Sequence, residues 1–144
     1  MSTAIEIVGF EPSDHQAGVV ALWGEAFPNP APHNDPQWVI QQKLALGDGL
    51  FWVALQPAGV VVGTVMAGYD GHRGWVYCLA VDAQARRSGL GSRLIERAEQ
   101  ELQRRGCRKV NLQVVAGNDD AVAFYEALGY GAEARISMGK RLDE

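Results

Sequence analysis

The sequence predicts a mixed α/β fold, in which one largely antiparallel sheet of about six or seven strands carries helices on both faces. Three apolar runs, at 50–55, 60–67 and 75–81, follow one another across short turns, which is typical of antiparallel hairpins. The second half alternates helical and strand-like patterns, which indicates a β-α-β unit with a parallel strand pair. A length of 144 residues favours a single domain over 1–144.

The first part of the chain predicts a strand and a helix. Residues 4–10 are a short apolar run, and residues 13–27 place apolar side chains near helical spacing. Ser13 or Asp14 is the expected N-cap, because its side-chain oxygen can accept a hydrogen bond from the first helical amides.

A proline-rich loop and a second helix follow. Four prolines lie within 28–36, which excludes regular structure there. Pro36 suits the first turn of a helix over 36–47, and Gly47 suits its end.

The centre of the chain predicts a hairpin turn and a long helix. Asp70-Gly71 favours a tight reversal between two strands. Residues 90–105 predict an amphipathic helix that Gly106 ends. Its apolar stripe consists of Leu90, Leu94, Ile95, Ala98 and Leu102.

The last part predicts a strand over 109–115 and a further helix. This helix begins at Asn118 or Asp119 and runs to Leu128, where Gly129 ends it. The tail, 130–142, alternates enough to predict one bent strand or a hairpin.

Composition excludes several classes of protein. A net charge of −4 argues against nucleic acid as a partner, because such surfaces are basic. No apolar stretch is long enough to span a membrane, and the N-terminus lacks the pattern of a secretory signal. Cys78 and Cys107 show no metal-type spacing, so no metal is expected. A reducing, cytoplasmic location fits these features.

The most informative segment joins a strand to the start of the long helix, at 81–92. The first amides of a helix lack intrahelical partners and attract an anion. Gly89 and Gly91 let a phosphate approach them, and Arg86 and Arg87 add positive charge. A glycine-rich helix start that binds nothing remains the alternative. The segment matches neither a Walker motif nor a full dinucleotide fingerprint.

Two motifs together resemble one enzyme family. The first is Arg-x-x-Gly-x-Gly at 86–91, and the second runs from Asn118 to Tyr130 as NDDAVAFYEALGY. In this order and spacing they resemble the GNAT superfamily of acetyl-CoA-dependent N-acetyltransferases. The segments 62–74 and 139–142 are similar to a narrower bacterial branch, the YpeA-like acetyltransferases.

The resemblance implies a fold with a splayed central pair of parallel strands and a site for acetyl-CoA. Asn118 would contact the cofactor, and Tyr125 would bind near its sulfur and protonate the departing thiolate. The amides of the glycine turn would hold the pyrophosphate, and the strand before it would pair with the pantetheine arm. The implied cofactor contacts from these two elements are Leu79, Ala80, Val81, Arg86, Arg87, Ser88, Gly89, Leu90, Gly91 and Ser92.

The general base is where the chain departs from many members, which carry a Glu on the strand equivalent to 75–81. This strand reads WVYCLAV and has no carboxylate. Asp70 and His72 occupy the turn before it, and histidine suits a proton relay. An ordinary polar turn is the alternative reading. Cys78 is expected in the core, with an acetyl-cysteine intermediate as the less favoured reading.

The acceptor amine is not specified by the sequence. Candidate acceptor contacts are His33, Asn34 and Trp38 near the proline-rich loop, with Arg73 and Tyr77 beside the turn. Two other hypotheses remain open: a non-catalytic acyl-CoA-binding module, and a structural or partner-binding domain without a ligand. A homodimer is possible, since dimers are frequent among similar proteins.

Overall fold

A computed structural model describes residues 4–143, and residues 1–3 and 144 lie outside the described part. The chain forms two compact units, one up to Leu112 and one from Gln113 onward. The first unit contains β1 (Glu6–Gly9), α1 (Pro12–Ala26), α2 (Pro36–Leu46), β2 (Phe51–Leu55), β3 (Val61–Tyr69), β4 (Gly74–Val81), α3 (Leu90–Arg104) and β5 (Val110–Asn111). The second contains α4 (Asp119–Ala127).

One mixed sheet of five strands organises the first unit. Its strands lie in the order β1-β2-β3-β4-β5, and each of the first three neighbouring pairs is antiparallel. β4 and β5 are parallel, as the β-α-β pattern predicts. The parallel pair lies at the edge of this sheet, which corrects the expectation of a central pair.

Helices cover both faces of the sheet, as predicted. Trp23 of α1 hydrogen-bonds to Thr64 of β3. The adjacent Gly63 lies under α3, since a Cβ there would come within 2.9 Å of the Leu94 side chain. Successive strand residues point to opposite faces, so α1 and α3 lie on opposite sides. The predicted stripe of α3 is buried throughout, at Leu90, Leu94, Ile95, Ala98 and Leu102.

Several predicted boundaries are confirmed. The strands at 50–55, 60–67 and 75–81 match β2, β3 and β4 within one or two residues. Gly47 ends α2 in the left-handed conformation. Asn118 caps α4 through its side chain, which accepts a hydrogen bond from the amide of Ala121 at 3.1 Å.

Two local expectations in the first part of the chain are wrong. The N-cap of α1 is Glu11 rather than Ser13 or Asp14, because Pro12 takes the first helical position and starts the helix earlier. The loop 28–36 contains a single 3-10 turn over Pro32–Asn34. Proline tolerates this position, because the first amide of a turn needs no internal partner.

The predicted strand count is too high. The sheet has five strands, and the strand predicted over 109–115 is confirmed only at Val110–Asn111. Within 130–143 the structure describes no strand. Ile136 and Met138 are each 90% exposed, so the alternating pattern of the tail lacks a sheet face on which to bury its apolar side chains.

Candidate functional site

A β-bulge interrupts β4 near its middle. Thr64 lies opposite Ala80 and Met66 opposite Tyr77, so β4 has one residue more than β3 between these two pairs. Cys78, one of the two β4 residues that lie opposite Val65, has a φ of 53°, in the left-handed region that residues other than glycine rarely adopt. The bulge therefore redirects the second half of β4.

The hydroxyl of Thr64 links this bulge to α1. The indole Nε1 of Trp23 donates to Thr64 Oγ1 at 2.9 Å. Thr64 Oγ1 in turn donates to the backbone carbonyl of Cys78 at 2.9 Å. The bulge carbonyl thus accepts a hydrogen bond from a side chain of the neighbouring strand.

The thiol of Cys78 is held in its neutral form. Burial raises its pKa to about 11, although the positive charge of Lys43 acts in the opposite direction. A neutral thiol is a poor nucleophile at neutral pH. This environment favours the core role predicted for Cys78 over a covalent acetyl-cysteine.

The edge of β4 that faces β5 is paired only at its start. Gly74 pairs with Val110 and Trp75 with Asn111, and within the described residues the ladder ends there. From Val76 to Val81 this edge of the strand offers its backbone groups to another extended chain. The predicted contacts Leu79, Ala80 and Val81 all lie on this segment.

The loop after β4 leads to the start of α3. Arg87 and Gly89 have φ values of 66° and 80°, which reverse the chain sharply before Leu90. Gly89, the N-cap residue of α3, provides no side-chain cap for the first amides, and the first turn carries no acidic residue. The exposed guanidinium group of Arg86 donates from Nε to the carbonyl of Val81 at 3.3 Å. Uncapped amides with arginines close by in the chain fit an anionic group such as a pyrophosphate.

Ser88, Gly91 and Ser92 complete the predicted anion turn. The Ser88 hydroxyl donates to the carbonyl of Ala85 at 2.5 Å, which fixes the loop before the helix. Gly91 and Ser92 belong to the first turn of α3 and are partly exposed. The residues of the sequence motif therefore form one continuous segment, the loop before α3 and the first turn of that helix.

The turn before β4 is built around Asp70. Its Oδ1 accepts hydrogen bonds from the amides of His72 at 2.8 Å and Arg73 at 2.7 Å. These two hydrogen bonds, of which the one from Arg73 has the larger effect, hold the pKa of Asp70 below its usual range. A carboxylate with these partners is a weak base, so the geometry suits Asp70 to shaping the turn that presents His72.

A buried lysine supports the aromatic face of β4. Lys43 of α2 is 5% exposed, and its Nζ bonds to Asp48 Oδ2 at 2.9 Å and to the carbonyl of Ala67. The same ammonium lies 5.4 Å from the centroid of the Tyr77 ring. Tyr77 is 38% exposed, so the ring keeps an accessible surface while Lys43 supports it.

In the second unit, aromatic side chains surround Tyr125 of α4. Its ring centroid lies 5.0 Å from that of Phe124 and 5.8 Å from that of Tyr130, both in edge-to-face geometry. Burial raises the pKa of the Tyr125 phenol, so it keeps its proton at neutral pH. The Asn118 oxygen caps the same helix, so a ligand contact of Asn118 would use its amide nitrogen.

The candidate acceptor residues of the proline-rich loop lie at the surface. His33, Asn34 and Trp38 are all exposed. The side chains of His33 and Asn34 approach each other at 3.4 Å, and Asp35 caps α2 by accepting from the amide of Trp38. The structure describes no contact between these residues and the turn at 70–73.

Sequence reasoning missed three side chains that support β4: Trp23, Thr64 and Lys43. The sequence holds a signal for two of them. Thr64 stands inside the apolar run VVGTVMA, and Lys43 stands three residues after Ile40, which is buried. Both put a polar group at a core position, where it needs a partner.

Comparison with known proteins identifies the family. The acetyltransferase (GNAT) family model matches residues 17–130. The chain belongs to this family. It is 43% identical over 138 residues to the acetyltransferase YE1169 of Yersinia enterocolitica, covering 96% of both chains. The protein is therefore a GNAT acetyltransferase by relationship.

Two solved structures share the fold. Ard1 of Thermoplasma volcanium is 25% identical, with a TM-score of 0.78 over 91% of this chain and 85% of that one. The aminoglycoside N-acetyltransferase AAC(6′)-Iy, solved with CoA, is 17% identical, with a TM-score of 0.80 over 99% and 97%. Both likenesses support the mixed sheet described above.

Between residues 4 and 143, no three His, Cys, Asp or Glu side chains form a group able to hold a metal ion. No helix in that range has the length and apolar character needed to cross a bilayer.

Proposed function

We propose that this protein transfers the acetyl group of acetyl-CoA directly to a primary amine. The observation that carries the proposal is the edge of β4, which has no ladder with β5 from Val76 onward and leads into the uncapped start of α3. An extended amide-containing arm finds backbone partners along such an edge. A pyrophosphate attached to that arm finds amides and positive charge at the helix start.

Recognition of CoA follows from these two elements. The amides from Arg87 to Gly91 hold the pyrophosphate, and Arg86 adds charge. The backbone of 79–81 pairs with the pantetheine arm. Asn118 contacts the cofactor through its amide nitrogen. Family membership supports this assignment, because the glycine turn and the α4 segment both lie within the matched range 17–130.

The proposed chemistry is a direct acyl transfer. The amine nitrogen attacks the thioester carbonyl carbon, and a C–N bond forms in a tetrahedral intermediate. The C–S bond then breaks, and its electron pair leaves on sulfur. Tyr125 donates its proton to that thiolate, a role for which its raised pKa suits it because the phenol stays protonated.

Two protons also leave the nitrogen: the one lost from the tetrahedral intermediate restores the proton of Tyr125, and the one lost before the attack needs a base. A free alkylamine has a pKa of ~10, so at neutral pH it is mostly protonated. β4 carries no carboxylate to accept that proton. We propose that His72 accepts it, with Asp70 holding the turn through its bonds to the amides of His72 and Arg73.

The distance between the turn at 70–73 and the bulge at Cys78 determines how His72 can accept the amine proton. Gly74, the first residue of β4, lies four residues before Cys78, which is about 13 Å along an extended strand. His72 therefore acts through water if the thioester lies at the bulge. Arg73, Tyr77 and the loop residues His33, Asn34 and Trp38 remain the proposed acceptor contacts, for a small amine, an amino acid or a protein N-terminus.

A non-catalytic acyl-CoA-binding module is the second candidate. The absence of an acidic residue from β4 favours it, because a binding protein needs no base. Both candidates predict CoA binding. Only the enzyme predicts release of free CoA thiol that depends on an amine.

The deciding experiment combines a thermal shift with a thiol-release assay. Acetyl-CoA at about 100 times its dissociation constant stabilises the protein by ~2.7 kcal/mol, which raises Tm by roughly 5–11 °C at this size. ATP serves as the control nucleotide. No shift at millimolar acetyl-CoA overturns the proposal. A shift without thiol release across amines, amino acids and peptides favours the binding module.

A further inference from the structure

A buried chain of two hydrogen bonds connects helix α1 to the bulge in β4. Trp23 and Thr64 are 2% and 0% exposed, so water does not compete for either bond. The indole nitrogen can only donate, and therefore the Thr64 oxygen accepts from it. The one hydroxyl proton is then committed to the carbonyl of Cys78. The chemistry of the groups fixes the direction of both bonds.

Packing alone does not require a hydroxyl at position 64. Val62 and Val65 on the same strand are buried and apolar, and valine has nearly the same shape as threonine. A valine at 64 would leave the Trp23 N–H and the Cys78 carbonyl buried without these partners. The hydroxyl is therefore needed for its hydrogen bonds at the bulge and not to fill space in the core.

The backbone conformation at the bulge needs contacts that stabilise it. Cys78 adopts a φ of 53°, which is strained for a residue with a side chain. Such a conformation persists only where surrounding contacts determine it. Thr64 contacts the strained residue itself, and Trp23 orients Thr64 from a different element. The peptide between Cys78 and Leu79 is thus held from the side of α1.

We infer that Trp23 and Thr64 are positioning residues, which hold the β4 bulge in the geometry that presents 79–81 to the thioester arm. The inference rests on the proposed function for its catalytic consequence. Its structural consequence, the conformation of β4 around Cys78, can be measured whether or not the protein transfers an acetyl group. Neither residue touches the reacting atoms in this scheme.

The test is a graded set of variants. Thr64→Val removes both hydrogen bonds, Trp23→Phe removes only the first, and Thr64→Ser keeps the hydroxyl. Hydrogen exchange of the backbone amides in 76–81 reports on the bulge. We expect Thr64→Val to accelerate exchange there by about tenfold, Trp23→Phe by less, and Thr64→Ser by less than about threefold.

Ile95→Val is the matched control for general loss of stability. Ile95 is buried on α3, on the opposite face of the sheet, and its truncation should affect 76–81 no more than the rest of the sheet. In the thiol-release assay, we expect Thr64→Val to lower kcat/KM about tenfold, with Thr64→Ser restoring most of it.

The same comparison in a Cys78→Gly variant separates positioning of the bulge from general loss of stability. Glycine adopts positive φ without steric cost, so Cys78→Gly should reduce the effect of Thr64→Val on exchange in 76–81 to below about threefold. The inference is overturned if Thr64→Val and Ile95→Val change exchange in 76–81 equally, or if Cys78→Gly leaves the Thr64→Val effect unchanged. Failure of the proposed function appears separately, as absence of acetyl transfer in the unmodified protein.

Discussion

The ammonium nitrogen of Lys43 lies 5.4 Å from the centroid of the Tyr77 ring and forms an ion pair with Asp48 beneath it. A cation buried in α2 thus supports an aromatic side chain on the strand that carries the candidate site. Asp48 is 25% exposed, so removing Lys43 would leave a carboxylate that water reaches in part, and the carbonyl of Ala67 without this donor.

Lys43→Met should therefore destabilise the protein strongly. The substitution keeps much of the side-chain volume but removes the bonds to Asp48 and to the carbonyl of Ala67. We expect a loss of about 2 kcal/mol in the free energy of unfolding, measured by urea denaturation. Arg104→Ala is the control, because water screens its exposed pair with Glu101 and the pair should contribute little to stability. Equal losses in the two variants would show that the buried pair contributes little.

Gly89→Ala should weaken CoA binding. A Cβ at Gly89 meets no atom within 4 Å, so the cost arises only from its φ of 80° and the shift this forces at the start of α3. We expect a stability loss of about 1 kcal/mol and a clear loss of CoA affinity by calorimetry.

Gly59→Ala is the matched control for that substitution. Gly59 lies in the turn between β2 and β3, has a φ of 84°, and likewise has open space around its Cβ position. Its stability cost should be similar, while CoA affinity stays unchanged. If both variants bind CoA like the unmodified protein, the pyrophosphate does not lie at the start of α3.

The sequence predicted well the elements and helix ends that have a local cause. The α3 stripe from Leu90 to Leu102 repeats at helical spacing and is buried as expected. Gly47 and Asn118 end and begin helices through chemistry that needs no distant partner. Such features depend on neighbours within one turn of helix.

Features that depend on distant partners were less predictable. The tail alternates apolar residues such as Ile136 and Met138, yet a strand forms only where another strand can pair with it. The bulge at Cys78 appears in no local pattern, because it reflects a difference in residue number between β3 and β4. The bond from Thr64 to Cys78 spans 14 positions for the same reason.

Tyr125→Phe should lower kcat while leaving acetyl-CoA affinity unchanged. A CoA thiolate is a fair leaving group, so we expect a fall of about 10- to 100-fold rather than complete loss. Because burial raises the phenol pKa above its ordinary value of 10.0, the Tyr125-dependent part of the rate should persist to pH 10 and fall above it.

Tyr130→Phe is the control for this variant. Tyr130 contacts Tyr125 edge-to-face, so its loss tests the effect of changing a neighbouring phenol. We expect kcat to remain within about threefold of the unmodified protein. If Tyr125→Phe and Tyr130→Phe have equal activity, Tyr125 is not the acid.

His72→Ala and Asp70→Ala should differ in what they impair. If His72 accepts the amine proton through water, His72→Ala lowers kcat at neutral pH. Asp70→Ala removes the acceptor of two backbone bonds and should disturb the turn itself. Its effect should also appear as faster hydrogen exchange in 70–74. Full turnover by both variants with an accepted amine would assign the base elsewhere.

Cys78 should make stability fall at alkaline pH. The folded state raises the thiol pKa to about 11 from an ordinary value of 9.0, so above pH 9 the unfolded chain releases this proton more readily than the folded one. The stabilisation is fully present below pH 9 and is lost as pH rises towards 11, by about 2 kcal/mol in total. Urea denaturation under reducing conditions at pH 8 and pH 10.5 measures it. Cys78→Ala should lose less stability than the unmodified protein between pH 8 and pH 10.5, because alanine has no thiol to titrate. The substitution keeps the positive φ at position 78. Identical losses in the two proteins would mean that the thiol is accessible to water.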